Sequence, residues 1–232
     1  MPQKAAPAGL MVLGSDTNVG KTFVTALIAR QLHAQGIQVG VYKPAASGCR
    51  QVGRQMVADD AVTLWEAAGR PLTLAKVCPQ RFAAPLAPHL AARVEGKELS
   101  AARLRSGMKP WLTWAEFTLV EGAGGVLSPL GENELVADLA LDLDLPVILV
   151  VANRLGAVNQ ALQTQLAALV YGLKLRGVVL NDVAPPDATD PSRELNAAEI
   201  KRRLSVPLLA HLPWQSKTIR PRIDWRKLAA RE

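Results

Sequence analysis

Between a short apolar run, Leu10 to Leu13, and a stretch whose apolar positions suit a helix, Phe23 to Leu32, lies the loop Gly14-Ser15-Asp16-Thr17-Asn18-Val19-Gly20-Lys21-Thr22. A strand that turns through such a loop directly into a helix leaves the chain few folds to choose from. Glycines let backbone N–H groups approach an anion, and the helix N-terminus favours negative charge. A lysine at that junction reaches outer phosphates, and a threonine hydroxyl can hold Mg²⁺. The spacing is one residue longer than the ordinary G-x4-G-K-[ST] pattern.

The rest of the chain continues the alternation. Ile37 to Tyr42 and Phe117 to Val120 read as strands, the latter preceded by a helix that Ser100 caps. Pro146 to Ala152 is a continuous apolar run, the mark of a strand buried on both faces. Ala157 to Tyr171 reads as a helix, Leu175 to Leu180 as a strand, Leu195 to Leu204 as a helix and Val206 to Ala210 as a last strand. Strands alternating with helices predict an α/β fold, a P-loop NTPase-type mostly parallel sheet flanked by helices on both faces. The expectation is a single domain over residues 1–232. Ala184 to Pro191 and a basic tail from about residue 215 are the segments expected to be flexible.

Composition excludes several function classes. No apolar run approaches the ~18 residues of a membrane-spanning helix. Two cysteines, Cys49 and Cys78, are too few for a secreted disulfide framework, so a reducing, cytoplasmic setting is expected. The net charge of +7 is uneven: residues 1–189 carry 17 basic against 15 acidic side chains, and residues 190–232 carry 10 against 5. The excess sits at the carboxy-terminal end, and no aromatics interleave with the basic residues before position 190, which argues against a nucleic-acid surface.

Two further segments carry chemistry. Glu121, in Thr118-Leu-Val-Glu-Gly122-Ala123-Gly124-Gly125, stands at the carboxyl end of a strand, where open α/β sheets bind ligands. It can hold Mg²⁺ directly or through water. Lys43, in Tyr42-Lys-Pro-Ala-Ala-Ser47-Gly48, ends the second strand and shares that crevice with Lys21. Two lysines on one anionic site neutralise charge that develops in phosphoryl transfer. Asp60 reads equally as a helix-start acid or as a further oxygen ligand.

The loop GSDTNVGKT, the segments YKPAASG and VEGAGG, Leu155-Gly156-Ala-Val-Asn159 and Val179-Leu-Asn181-Asp182 occur in an order and spacing that resemble the dethiobiotin synthetases, over about residues 10–214. That resemblance implies an ATP- and Mg²⁺-dependent ligase that closes a ureido ring on 7,8-diaminononanoate with CO₂ in biotin biosynthesis, working as a homodimer. It implies that Asn18, Val19, Gly20, Lys21, Thr22 and Phe23 surround the phosphates, with Gly122, Ala123 and Gly124 nearby. Thr22, Asp60 and Glu121 would stand around Mg²⁺, and Lys43 would be the catalytic lysine beside Lys21. Thr17 and Ser47 would contact the diamine or its carbamate, and Gly156 and Asn159 the substrate's far carboxylate near the dimer interface. Asn181, with Asp182 and Pro213, would read the base. Phe82, Pro85 and His89 match a segment that shapes the site, His89 structurally rather than as a base.

The chain departs from the family pattern in GSDT for GTDT, in Asn18, and in Asn159-Gln160 where relatives often have Asn-His. Two other readings share the loop. A ParA- or MinD-like regulatory ATPase carries a signature lysine where this chain has Asp16. An ATP-dependent amidase acting on corrin precursors needs a glutaminase domain for which 232 residues leave no room. Small-molecule substrates, no nucleic acid and no membrane are therefore expected.

Overall fold

The computed structural model describes residues 8–187 and 189–230. The chain enters through β1 (Ala8–Gly14), crosses the glycine-bearing loop into α1 (Lys21–His33), and returns along β2 (Val39–Tyr42). A group of short elements follows: β3 (Ala45–Ala46), β4 (Arg50–Val52), β5 (Gln55–Val57), α2 (Asp59–Ala67), α3 (Leu74–Val77), β6 (Gln80–Arg81), α4 (Pro88–Val94), α5 (Ala101–Ser106) and α6 (Lys109–Trp114). The second half alternates regularly: β7 (Phe117–Gly125), α7 (Val136–Leu143), β8 (Val147–Ala152), α8 (Ala157–Val170), β9 (Leu175–Asn181), α9 (Ser192–Arg203), β10 (Leu208–Leu212) and α10 (Trp225–Leu228).

Six strands form one sheet in the order β10-β9-β8-β1-β7-β2, and every pairing within it is parallel. The α/β class and parallel sheet expected from the sequence are what the chain forms. β8 shows why its apolar run is unbroken. Ile148 and Val150 pack into the larger core with β1 and α1, while Leu149 and Val151 pack with Ala157 and Ala161 of α8 and Ile200 of α9. Alternate side chains point to opposite faces, and helices cover both, so neither face of the strand meets water. Ser100 caps α5 as its position suggested, its Oγ accepting from the Arg103 amide at 3.2 Å.

Some expectations need correction. The last strand lies two residues later than Val206 to Ala210, because Pro207 carries no N–H while its carbonyl accepts from the Val178 amide at 2.9 Å. The region after Trp214 is not a loose tail. Ile219 and Trp225 are buried, and the Trp225 indole N–H donates to Gln31 Oε1 of α1 at 3.1 Å. The Ala184 to Pro191 segment is likewise tethered over its described residues, by Arg193 to the carbonyls of Ala184 and Pro185.

Candidate active site

The parallel sheet sets β7 between β1 and β2; Lys21 and Lys43 follow the ends of β1 and β2, while Glu121 lies within β7 rather than at its end, beside the point where β2 stops. The loop after β1 closes tightly. A Cβ on Gly14 would lie 2.6 Å from the Asp16 carbonyl and 2.9 Å from Lys21 Nζ, so only glycine lets the lysine fold back over the strand. Lys21 Nζ donates to that Asp16 carbonyl at 3.0 Å. Gly20 caps α1 at φ +88°, where a Cβ would fall 2.1 Å from Asn181 Nδ2.

Next to this loop, Lys43 leaves the end of β2 almost fully buried. Its Nζ sits 2.5 Å from Glu121 Oε1 and 2.8 Å from Asp60 Oδ2. Burial disfavours the ammonium, but the charges of Glu121 and Asp60 outweigh it and hold the Lys43 pKa above the ordinary lysine range. Lys21 has no such close carboxylate, and burial pulls its pKa down to about 8 despite attraction from Glu121. Burial opposes the charged form of Asp60 too, yet Lys43 holds its carboxyl below the usual range. The structure distinguishes the two neighbouring acids that open α2: Asp59 is paired outward with Arg50, which leaves Asp60 to face Lys43.

Glu121 is fully buried in β7; its Oε1 also accepts from Thr22 Oγ1 at 2.8 Å. Its Oε2 is buried without a hydrogen-bond partner. That orphaned oxygen beside Thr22 and Asp60 is an all-oxygen donor set suited to a hard cation. Among the described residues no cluster of three or more His, Cys, Asp or Glu could hold a metal. Two carboxylates and a hydroxyl instead suit Mg²⁺, which keeps several waters and takes phosphate oxygens as further ligands.

One cavity of about 460 Å³ gathers most of the residues singled out from the sequence: Thr17, Asn18, Gly20, Lys21, Thr22, Lys43, Ser47, Asp60, Glu121, Ala123 and Gly124. Val19 is fully buried and does not line the cavity, and Phe23 packs against the core. A Cβ on Gly122 would press on Leu13 and Val136, away from the cavity. Asn181 stands behind the loop, donating to the Val19 carbonyl at 3.1 Å. Asp182 and Pro213 follow at the ends of β9 and β10, outside the cavity. Gly156, at φ +90°, caps α8, and with Asn159 is exposed. Phe82 is buried beside Ala91, and His89 lies on α4 and does not line the cavity, with Nδ1 unpartnered.

Two more residues adjoin this site: Arg154, which sequence reasoning misses, and Gln160, which it names only as a departure from the family pattern. Arg154 lies 3.7 Å from the Asp16 carboxylate, and Gln160 Nε2 approaches the same group at 3.4 Å. A cation just past a buried strand, the signal that marks Lys43, also marks Arg154.

Residues 8–222 match the family model described as an AAA domain. Among curated proteins, the chain is 45% identical over 207 residues to the ATP-dependent dethiobiotin synthetase BioD of Anaeromyxobacter dehalogenans strain 2CP-C, covering 89% of this chain and 90% of that one. It is 43% identical over 203 residues to the protein of that name from Pseudomonas aeruginosa strain PAO1, covering 87% and 88%. Against the Rhodopirellula baltica protein the identity is 38% over 210 residues, covering 86% and 81%. Among solved structures, chloroplast FtsY from Physcomitrella patens aligns at a TM-score of 0.54 with 17% identity, over 99% of this chain and 66% of that one. The signal recognition particle receptor FtsY from Elizabethkingia anophelis aligns at 0.53 with 16% identity, and this chain spans 64% of its length. At such identities these likenesses show the fold alone.

Proposed function

The chain belongs to the ATP-dependent dethiobiotin synthetase family, and we propose that it joins CO₂ to 7,8-diaminononanoate and closes the ureido ring at the expense of ATP. One observation carries the reading. Lys21, Thr22, Lys43, Asp60 and Glu121, from four separate segments, converge on one cavity beside the phosphate loop.

A carbamate is a poor electrophile towards a second amine, and phosphorylation remedies that. In the proposed sequence one substrate amine adds to CO₂ and loses a proton, giving a carbamate. A carbamate oxygen attacks the γ-phosphorus of ATP and ADP leaves. The second amine then attacks the carbonyl carbon, the carbon–oxygen bond to phosphate breaks, and the proton the amine loses leaves with the phosphate as the ring closes. The chain's part is positioning and charge: loop N–H groups and Lys21 hold the phosphates, and Lys43 faces the carbamate near Thr17 and Ser47. Thr22, Asp60 and Glu121 would hold Mg²⁺, which when bound neutralises the phosphate oxygens. Asn181, with the segments at Asp182 and Pro213, reads the base. Gly156 and Asn159, on the exposed start of α8, take the far carboxylate.

Homodimerisation is part of the proposal. Leu155, Leu166, Leu169 and Val170 are all more than half exposed around α8. Among the described residues no helix is long and apolar enough to cross a membrane. We further propose that the whole chain acts as one domain on small molecules alone.

Incubating the protein with 7,8-diaminononanoate, bicarbonate, Mg²⁺ and a panel of nucleoside triphosphates tests the assignment. Dethiobiotin and ADP should appear in equal amounts with ATP. No product with any nucleotide would overturn it.

A further inference from the structure

The carboxyl ends of β8, β9 and β10 are joined by a second polar cluster, separate from the cavity of the two lysines. Asn153, directly after β8, is buried; its Nδ2 donates to Asp182 Oδ1 at 2.7 Å and to the Arg193 carbonyl at 3.0 Å. Its Oδ1 accepts from Asn196 of α9 at 2.9 Å, so both ends of the amide are held. His211, in β10, brings Nε2 to 2.9 Å from the same Asp182 oxygen. The Arg193 guanidinium lies 3.4 Å from Asp182 Oδ2. The Asp182 carboxylate is thus clamped by residues from three elements, and its backbone N–H is tied to the Leu212 carbonyl at 2.9 Å.

Its neighbour Asn181 faces the other way, towards the phosphate loop. There Nδ2 is engaged with the Val19 carbonyl, while Oδ1 is buried and without a partner. A fixed amide with one free acceptor suits an amino group on a base and opposes a keto oxygen at the same place. Rotation of Asn181 would erase that distinction; its bond to Val19 opposes the rotation, and the cluster fixes the backbone that carries Asn181, whose carbonyl accepts from the Asn153 amide at 2.8 Å.

We infer that His211 and Asn153 are positioning residues for base selection: through Asp182 they hold Asn181 so that its Oδ1 prefers a 6-amino purine nucleotide to a 6-oxo one. The inference rests on the reading of Asn181 as the residue that meets the base. His211 is partly exposed, so its replacement opens no buried cavity.

The test combines equilibrium binding of ADP and GDP with steady-state rates for ATP and GTP. His211→Ala and Asn153→Ala should each raise the ADP dissociation constant and the KM for ATP about tenfold, the factor that ~1.4 kcal/mol produces. The ATP-over-GTP preference should fall by a similar factor, with kcat and the diamine KM little changed. His211→Gln, whose amide can still donate to Asp182, should restore the preference. Wild-type ADP affinity in both alanine variants, alongside weakened ADP binding in Asn181→Ala, would overturn the inference and leave the base reading standing. Unchanged ADP binding in Asn181→Ala would overturn the base reading and the inference with it. A fall in kcat and melting temperature with the ATP-over-GTP preference intact would show a merely structural cluster, which also overturns it.

Discussion

Lys43 and Glu121 form an ion pair with almost no access to water, while Asp60 stays half exposed. Removing one member of a buried pair strands the other, which costs about 3–5 kcal/mol. Lys43→Met should therefore destabilise the protein by roughly that much in urea unfolding at pH 7, besides abolishing turnover. In Lys43→Met/Glu121→Gln no charge is left stranded, so much of the stability should return while activity does not. Equal losses in the single and double variants would refute this account. Lys21 makes a prediction of opposite sign. Burial lowers its pKa to about 8 in the free protein, so the ammonium proposed to pair with phosphate is present below that pH and lost above it. Nucleotide binding should take up a proton near pH 8, and affinity should weaken by up to about tenfold per pH unit above it. Titration calorimetry in buffers of different ionisation enthalpy reads this directly. Lys21→Arg, charged throughout, should lose the pH dependence. Lys21, Thr22 and Lys43 are legible in the sequence because each follows a strand or begins a helix, and Glu121 because an acid interrupts a buried apolar run; β7 continues past it to Gly125, so it does not end the strand as expected. Asp60 is legible only by resemblance, since an acid at the start of a helix is equally a response to the helix dipole. The choice between Asp59 and Asp60 depends on Arg50, whose hairpin has no sequence signal.

The loop joining β1 to α1 depends on an element far along the chain. Asn181, at the end of β9, fills the space a side chain at Gly20 would need, and the backbone there is left-handed. Gly20→Ala should cost about 1–3 kcal/mol in backbone strain alone. It should also displace Asn181, so ATP binding ought to fall more than stability does; a loss in thermal melting with unchanged ADP affinity would contradict the coupling. The long elements are legible because their hydrophobic patterns are unambiguous: β8 is an unbroken apolar run, and α1 and α8 start at glycines that follow strands. β3 to β6 are two or three residues each, too short to show a period, and their pairing is settled by tertiary contact. The same reason hides Asn153 and His211, which meet only when β8, β9 and β10 lie side by side.

For the molecule as a whole, the basic end of the chain is a packing element. Trp225 is buried against α1, the helix that carries the phosphate loop at its start. Trp225→Ala should cost about 3–5 kcal/mol and expose the segment after Trp214 to limited proteolysis. Its charges give this segment the look of a solvated tail, and its apolar residues, Ile219, Ile223 and Trp225, keep neither a helix nor a strand period throughout.

An apolar surface left open in the single subunit lies instead on α8. Its inner residues, Ala157, Ala161 and Ala168, pack against the sheet. Leu166 and Val170 stand one turn apart on its outer side, with Leu169 next to them. A helix apolar on both sides suits one that is covered on both sides, and the proposed homodimer would supply the cover with a second copy of the chain. Asn159 lies three positions before Leu162 and seven before Leu166, on the same outer face. Pairing through this face would bring the exposed start of α8, with Gly156 and Asn159, to the subunit boundary. Leu169→Glu/Val170→Glu should then yield monomers in sedimentation velocity without lowering stability, since neither side chain is buried in the single subunit. It should also raise the KM for the diamine more than that for ATP, because the phosphate loop lies within one subunit. A dimer that persists in this variant would place the interface elsewhere, and a monomer with an unchanged diamine KM would detach Gly156 and Asn159 from the boundary.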